Sequence, residues 1–263
     1  MSDGVKITVL SDKLALPGFE GEHGLSFIVE ADRQILFDTG ASDLFIRNAS
    51  KLGININSID TVVISHGHYD HGNGLQYLNG KRIVTHPCAF TTRFSGRSGR
   101  NLTVAVNRET LAQNNTIIES TKALWLSERI VYLGEIERAI PFEQKQTPLF
   151  HFADGSTDPI IDDSAIAVKT SKGIIVISGC AHSGICNIVE QARKTCDTDK
   201  VYGVIGGFHL TEIDKQLRQT VDYLKKIGVE YALPSHCTSP DVINEFWKNF
   251  KGKDVKTGMV LNL

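Results

Sequence analysis

The chain has 263 residues, 41% of them hydrophobic, with 28 basic against 30 acidic side chains. That content supports one large core or two small ones. The balanced charge, with no basic block beyond short pairs such as Lys225-Lys226, argues against a nucleic-acid surface, and no apolar run approaches a membrane span. Met1-Ser2-Asp3-Gly4 lacks the basic-then-apolar design of a signal peptide, so a soluble cytoplasmic protein is expected. Cys88, Cys180, Cys186, Cys196 and Cys237 are odd in number and irregularly spaced, which fits a reducing compartment without disulfides. Each reads first as a buried, inert thiol. Cys180 and Cys237 lie close to histidines in sequence, with metal contact as the alternative.

Val5 to Leu10 alternates like a strand. A Gly-rich, charged loop ending Gly21-Glu22-His23-Gly24 leads to two β runs, Leu25 to Glu30 and Gln34 to Phe37. Asp38 closes the second run. It can orient a metal-bound histidine from behind or cap the helix that starts near Ser42-Asp43. That helix carries Leu44, Phe45, Ala49 and Leu52 at helical spacing and ends at Gly53.

The apolar run Thr61 to Ile64 then meets Ser65-His66-Gly67-His68-Tyr69-Asp70-His71-Gly72. Three histidines and an aspartate fall where a buried strand stops, and these are the usual side-chain ligands of zinc and other transition metals. His66 and His68 suit one ion, while Asp70 and His71 point towards a second. Gly67 and Gly72 permit the tight turning that convergence needs. The plain alternative is a polar loop that happens to be His-rich.

A short helix over Gly74 to Leu78 and a strand over Arg82 to Thr85 follow, ending in His86-Pro87. His86 is a structural histidine or, one helix and one strand past the loop, part of the site. Residues 91–160 are the least periodic, forming an irregular insert in one domain spanning 1–263. Arg93, Arg97 and Arg100 there suggest a mobile loop, either simply solvated or able to bind anions. Ile130 to Leu133 and Leu149 to Phe152 read as strands, the latter with His151 packing or facing solvent.

Strand and helix then alternate: β runs at 164–170 and 173–178, a helix over 183–195, a strand at 201–205, and a helix over 211–227 capped by Thr211. A strand at 231–233 and a helix opening at Ser239-Pro240 complete the series. This order predicts a parallel region with helices packed outside, and ligands bind at the carboxyl ends of such strands. His182, His209 and His236 each follow one of those ends.

The H-x-H-x-D-H pattern of His66, His68, Asp70 and His71 after a β run resembles the signature of the metallo-β-lactamase superfamily. Further segments resemble one branch of it, the 7,8-dihydropterin-6-methyl-4-(β-D-ribofuranosyl)aminobenzene-5′-phosphate synthase-like group. They are Glu22 to Ser26, His86-Pro87, Gly134-Glu135-Ile136, Asp162-Asp163, Ser178 to Ile185, Gly206 to Leu210 and His236-Cys237-Thr238. The resemblance implies an αββα sandwich of two mixed sheets with helices outside and the site at one edge. It implies one ion on His66, His68 and His182 and another on Asp70, His71 and His236, with His209 bridging or facing substrate. Many superfamily members carry Gly-Asp after the strand at 173–178, the aspartate bridging two metals; this chain has Gly179-Cys180, which leaves the bridge open.

Two divalent ions, Zn2+ first with Fe, Mn or Mg open, about 4 Å apart, would lower the pKa of a shared water towards about 7. The expected activity is a metal-dependent hydrolase of a small phosphoester or ester working through that hydroxide. Asp70 would receive the nucleophile's proton, and His209 or His23 would protonate the leaving group. His23, His86 and Arg93 are the candidate substrate contacts. The second reading is the group's own chemistry, condensation of a dihydropterin methyl pyrophosphate with an arylamine ribofuranosyl phosphate. The third is a non-catalytic metal- or ligand-binding module.

Overall fold

The computed structural model describes residues 4–143 and 149–263. Met1 to Asp3, part of the segment tested above for a signal peptide, and residues 144–148 of the irregular stretch lie outside the described residues. The chain opens with β1 (Lys6–Ser11), β2 (Ser26–Glu30) and β3 (Gln34–Phe37), an antiparallel meander. Helix α1 (Leu44–Lys51) leads to β4 (Thr61–Val63), and the short α2 (Tyr69–Gly72) lies between it and β5 (Arg82–Thr85). Next come β6 (Arg93–Ser95), α3 (Arg108–Ala112), β7 (Thr116–Glu119), β8 (Leu124–Trp125), β9 (Ile130–Tyr132) and β10 (Phe150–Phe152). The second half runs β11 (Ala165–Thr170), β12 (Gly173–Ser178), α4 (Ile185–Cys196), β13 (Val201–Gly207), α5 (Lys215–Lys226), β14 (Tyr231–Ser235), α6 (Pro240–Asn249) and β15 (Val260–Asn262).

These strands build a seven-stranded sheet ordered β15-β1-β2-β3-β4-β5-β7 and a six-stranded one ordered β14-β13-β12-β11-β9-β8, with β6 and β10 paired apart. Both large sheets are mixed. β3, β4, β5 and β7 run parallel in the first, as do β12, β13 and β14 in the second.

Alternation along each strand sorts its side chains into different cores. Val9, Phe27, Phe37 and Val63 meet Tyr132, Ile166, Ile177 and Ile205 between the sheets. Their neighbours Leu10, Ile28, Leu36 and Val62 face the other way, onto Phe45 and Ala49 of α1. On the far side Ala167, Val176 and Val204 pack against α4 through Ile188, α5 through Leu217 and α6 through Phe246. Three apolar layers between four structural ones make the expected αββα sandwich.

Some boundaries differ from the sequence expectation. Helix α5 starts at Lys215, because the Asp214 carboxylate, not Thr211, accepts from Leu217 N at 2.9 Å. Nothing holds an earlier turn: Ile213 in the preceding segment is 53% exposed. The helix expected at Gly74 to Leu78 is a 3-10 turn over Asn73–Tyr77. Strand β7, helix α3 and strand β15 were not anticipated; β7 and β15 complete the edges of the first sheet. All five cysteines are free, and among the described residues no helix is long and apolar enough to cross a membrane.

Candidate metal centre

Beyond β4 the chain passes so close to its neighbour that a Cβ at Gly67 would fall 1.8 Å from the Ala89 carbonyl oxygen. Only glycine fits, and this close passage sits between the two histidines. His66 and His71 are fully buried, His68 and Asp70 nearly so. His68 then stands at the start of α2, whose first turn carries Asp70 and His71.

His182, His209 and His236 arrive from the carboxyl ends of the parallel β12, β13 and β14. Their backbone is forced: φ is +54° at Ala181, +49° at His209 and +53° at His236. A left-handed conformation at non-glycine residues carries a steric cost and clusters at functional sites. Asp38, at φ +56°, shares it.

Asp38 does not cap α1; the Ser42 hydroxyl accepts from Leu44 N instead. The carboxylate sits behind the histidines. Its Oδ2 accepts from His71 Nδ1 at 2.7 Å and from the Ser65 hydroxyl at 2.8 Å, while Oδ1 accepts from Ser65 N at 2.7 Å. Since the Ser65 hydroxyl donates to Asp38, it accepts from His66 Nδ1, 2.9 Å away. The network therefore assigns the Nδ1–H tautomer to both rings and turns both Nε2 lone pairs into the site. Gly179 makes room for this, since a Cβ there would lie 2.1 Å from the Ser65 oxygen.

Those lone pairs face further ring nitrogens and a sulfur at close range. His66 Nε2 lies 2.9 Å from His68 Nδ1, and His71 Nε2 lies 3.1 Å from His236 Nε2 and 3.3 Å from the Cys180 sulfur. Asp70 Oδ2 is 3.5 Å from His236 Nε2. Among the described residues three groups gather ligand atoms within 4.8 Å: His66, His68 and His182; Asp70, His71 and His236; and His66, His71 and Cys180. Two nitrogens about 2.1 Å from one tetrahedral ion lie about 3.4 Å apart, so the spacing and the nitrogen-rich donor set fit divalent ions.

The electrostatics agree. Burial drives His66 well below its ordinary range and His68 down to about 3, leaving neutral rings with lone pairs to share. Burial opposes ionisation of Asp70, but His236, His71 and His68 overcome it and keep the carboxylate charged. Burial also lowers His71, yet Asp38, with Asp70 and Asp163 behind it, outweighs burial and raises that ring above its usual value, so a cation bound at Nε2 would displace a proton from it.

The centre opens into a cavity of about 350 Å³, lined among others by Lys13, His23, Tyr69, Arg100, Phe150, His209 and Cys237. His23 lies with Nε2 3.2 Å from Asp70 Oδ2 and its ring stacked on His236. Burial lowers it to about 4, so it is neutral near pH 7 and lies beside Asp70 without storing a proton. His209 lines the same cavity, its ring 4.5 Å from that of His182, but belongs to none of the three ligand groups.

Two sequence expectations fail here. Arg93 does not sit on a mobile loop facing substrate; its side chain is 1% exposed and lies 2.8 Å from Asp162 Oδ1 and 3.3 Å from Asp158 Oδ2. Its other amine donates to the Cys88 carbonyl, so the guanidinium is held inside the protein and away from the cavity. His86 is buried off the cavity wall, its Nδ1 accepting from Cys88 N at 3.1 Å.

Arg100, one of the arginines read as solvated or anion-binding, is stacked over Tyr69 at 4.4 Å and lines the cavity. Three further residues matter that the sequence did not single out for these roles. Lys13 is, with Arg100, the cavity's cation among the described residues. Asp162 and Asp163 clamp the two halves: Asp162 accepts from Gly67 N at 2.8 Å, and Asp163 accepts from Ser183 N at 2.8 Å, beside His182. Burial pushes Asp163 up to about 6 against those hydrogen bonds.

Fold and site together define a class. The metallo-β-lactamase superfamily profile matches residues 21–236, and the chain belongs to that superfamily. It is 35% identical to 7,8-dihydropterin-6-methyl-4-(β-D-ribofuranosyl)-aminobenzene-5′-phosphate synthase of Methanocaldococcus jannaschii, across 95% of this chain and 92% of that protein. Among solved structures it resembles Tm1679, described as a metal-dependent hydrolase of the β-lactamase superfamily, with TM-score 0.85, 34% identity and 98% of each chain covered. A diphosphatase of the PhnP family shares the fold at TM-score 0.57 and 14% identity, covering 99% of this chain and 97% of that one.

Proposed function

We propose that this protein is a divalent-metal enzyme that hydrolyses a phosphoester, ester or similar bond in a small anionic substrate. The observation that supports it most is the pair of ligand groups on the floor of a cavity that, among the described residues, Lys13 and Arg100 line with positive charge. His66, His68 and His182 would hold one ion and Asp70, His71 and His236 the other, with Zn2+ the first choice for so many imidazoles. Bound ions supply Lewis-acid polarisation and lower the pKa of water towards neutrality.

The remaining work falls to the chain itself. Lys13 and Arg100 bind the anionic group and orient it over the floor. Asp70, kept ionised, accepts a proton from the attacking group, and the His23 ring, 3.2 Å away, restricts its carboxylate. His209, on the wall beside His182, donates a proton to the leaving group.

A second reading follows from the name of the Methanocaldococcus jannaschii relative. In it an arylamine ribofuranosyl phosphate replaces water as acceptor and a dihydropterin methyl pyrophosphate is the donor. Zinc- or manganese-loaded protein assayed on a panel of phosphate esters and on that donor, with and without the arylamine, separates the two. Release in water alone supports the hydrolase; release only with arylamine supports the transferase. Tight metal binding with neither contradicts both and leaves a binding module.

A further inference from the structure

Cys180 follows β12 and is 4% exposed, yet its sulfur faces imidazole. It lies 3.3 Å from His71 Nε2, and it falls within 4.8 Å of ligand atoms from both His66 and His71. His66 belongs to one three-residue group and His71 to the other, so the sulfur occupies ground common to both.

A thiol hydrogen bond to the His71 lone pair would satisfy this contact in the absence of an ion, and the same sulfur lone pairs could serve a cation held there. The proton of His71 is committed to Asp38, which leaves a lone pair on Nε2. The same nitrogen has His236 Nε2 at 3.1 Å on another side. Two ring nitrogens and a sulfur therefore converge on one spot, as the donor atoms of a metal site do. His68 Nε2, buried without a hydrogen-bond partner in the adjoining group, shows further polar capacity in the same floor.

We infer, resting on the two-ion reading above, that Cys180 is a metal ligand whose sulfur lies between the two ions. On binding, the S–H bond breaks, a sulfur–metal bond forms and the proton passes to solvent. A thiolate there makes the centre soft, favouring zinc, cobalt or iron over magnesium or manganese.

The test is cobalt reconstitution of the metal-stripped full chain, read by absorbance without any substrate. The wild type should show visible d–d bands together with a near-ultraviolet thiolate-to-cobalt band. Cys180→Ser and Cys180→Asp should keep the visible bands and lose the near-ultraviolet one, while Cys237→Ser keeps both. Visible bands alone in the wild type would overturn the cysteine assignment and leave the two-ion reading standing. Loss of the near-ultraviolet band in Cys237→Ser, with retention in Cys180→Ser, would overturn it in favour of the neighbouring thiol. No cobalt bound at all would defeat the two-ion reading, and this inference with it. Since the wild-type spectrum alone decides the first point, the test survives a variant that fails to fold.

Discussion

The two halves of the sandwich supply the candidate ligands in opposite ways. The loop from His66 to His71 packs four of them into six residues, and one buried carboxylate, Asp38, sets two of its rings. The second half delivers His182, His209 and His236 from three separate strand ends, each through a left-handed residue at or beside the histidine. The first arrangement is local in sequence, braced from behind by Asp38. The second exists only once β12, β13 and β14 are in register and the sheets are packed. Asp162 and Asp163 join the two, one hydrogen-bonded to each side.

That contrast explains what could be read from the chain. The 66–71 pattern was legible because a loop after a buried strand concentrates its meaning in adjacent residues. The strand-end histidines were legible as a trio because strand–helix alternation fixes where such ends lie. Long-range partners were not. Arg93 sits in a stretch rich in Gly and Ser and reads as solvated, but its guanidinium is held by aspartates more than sixty positions away. Cys180 reads as an inert thiol, and only tertiary packing brings its sulfur to His71. Strands β7 and β15 span only four and three residues, too few for a period of two to stand out in the sequence.

If the loop is a local unit, His68→Ala should reduce turnover to background with the circular dichroism spectrum unchanged. Unfolding of that variant would break the comparison. Arg93→Ala should act through the scaffold, leaving Asp158 and Asp162 buried and unpaired. Breaking such a pair costs about 3–5 kcal/mol, read as a lower midpoint in urea unfolding. Asp38→Asn keeps the shape but upsets the tautomers of His66 and His71. It should weaken metal affinity or activity by about 10–100-fold with little change in stability, measured by metal titration and melting temperature. Arg100→Ala touches neither half's ligands and should raise KM about tenfold at near-constant kcat, the loss of one hydrogen bond to a charged group of about 1.5 kcal/mol. An equal fall in kcat would instead place Arg100 in the transition state.

The central claim is that both halves meet around two ions, and metal content per chain tests it most directly. Plasma mass spectrometry on the wild type and on His182→Ala, side by side, should give two ions per chain falling to one. A single ion in the wild type, unchanged by the substitution, would contradict the two-ion centre and leave the loop as the whole of the metal site.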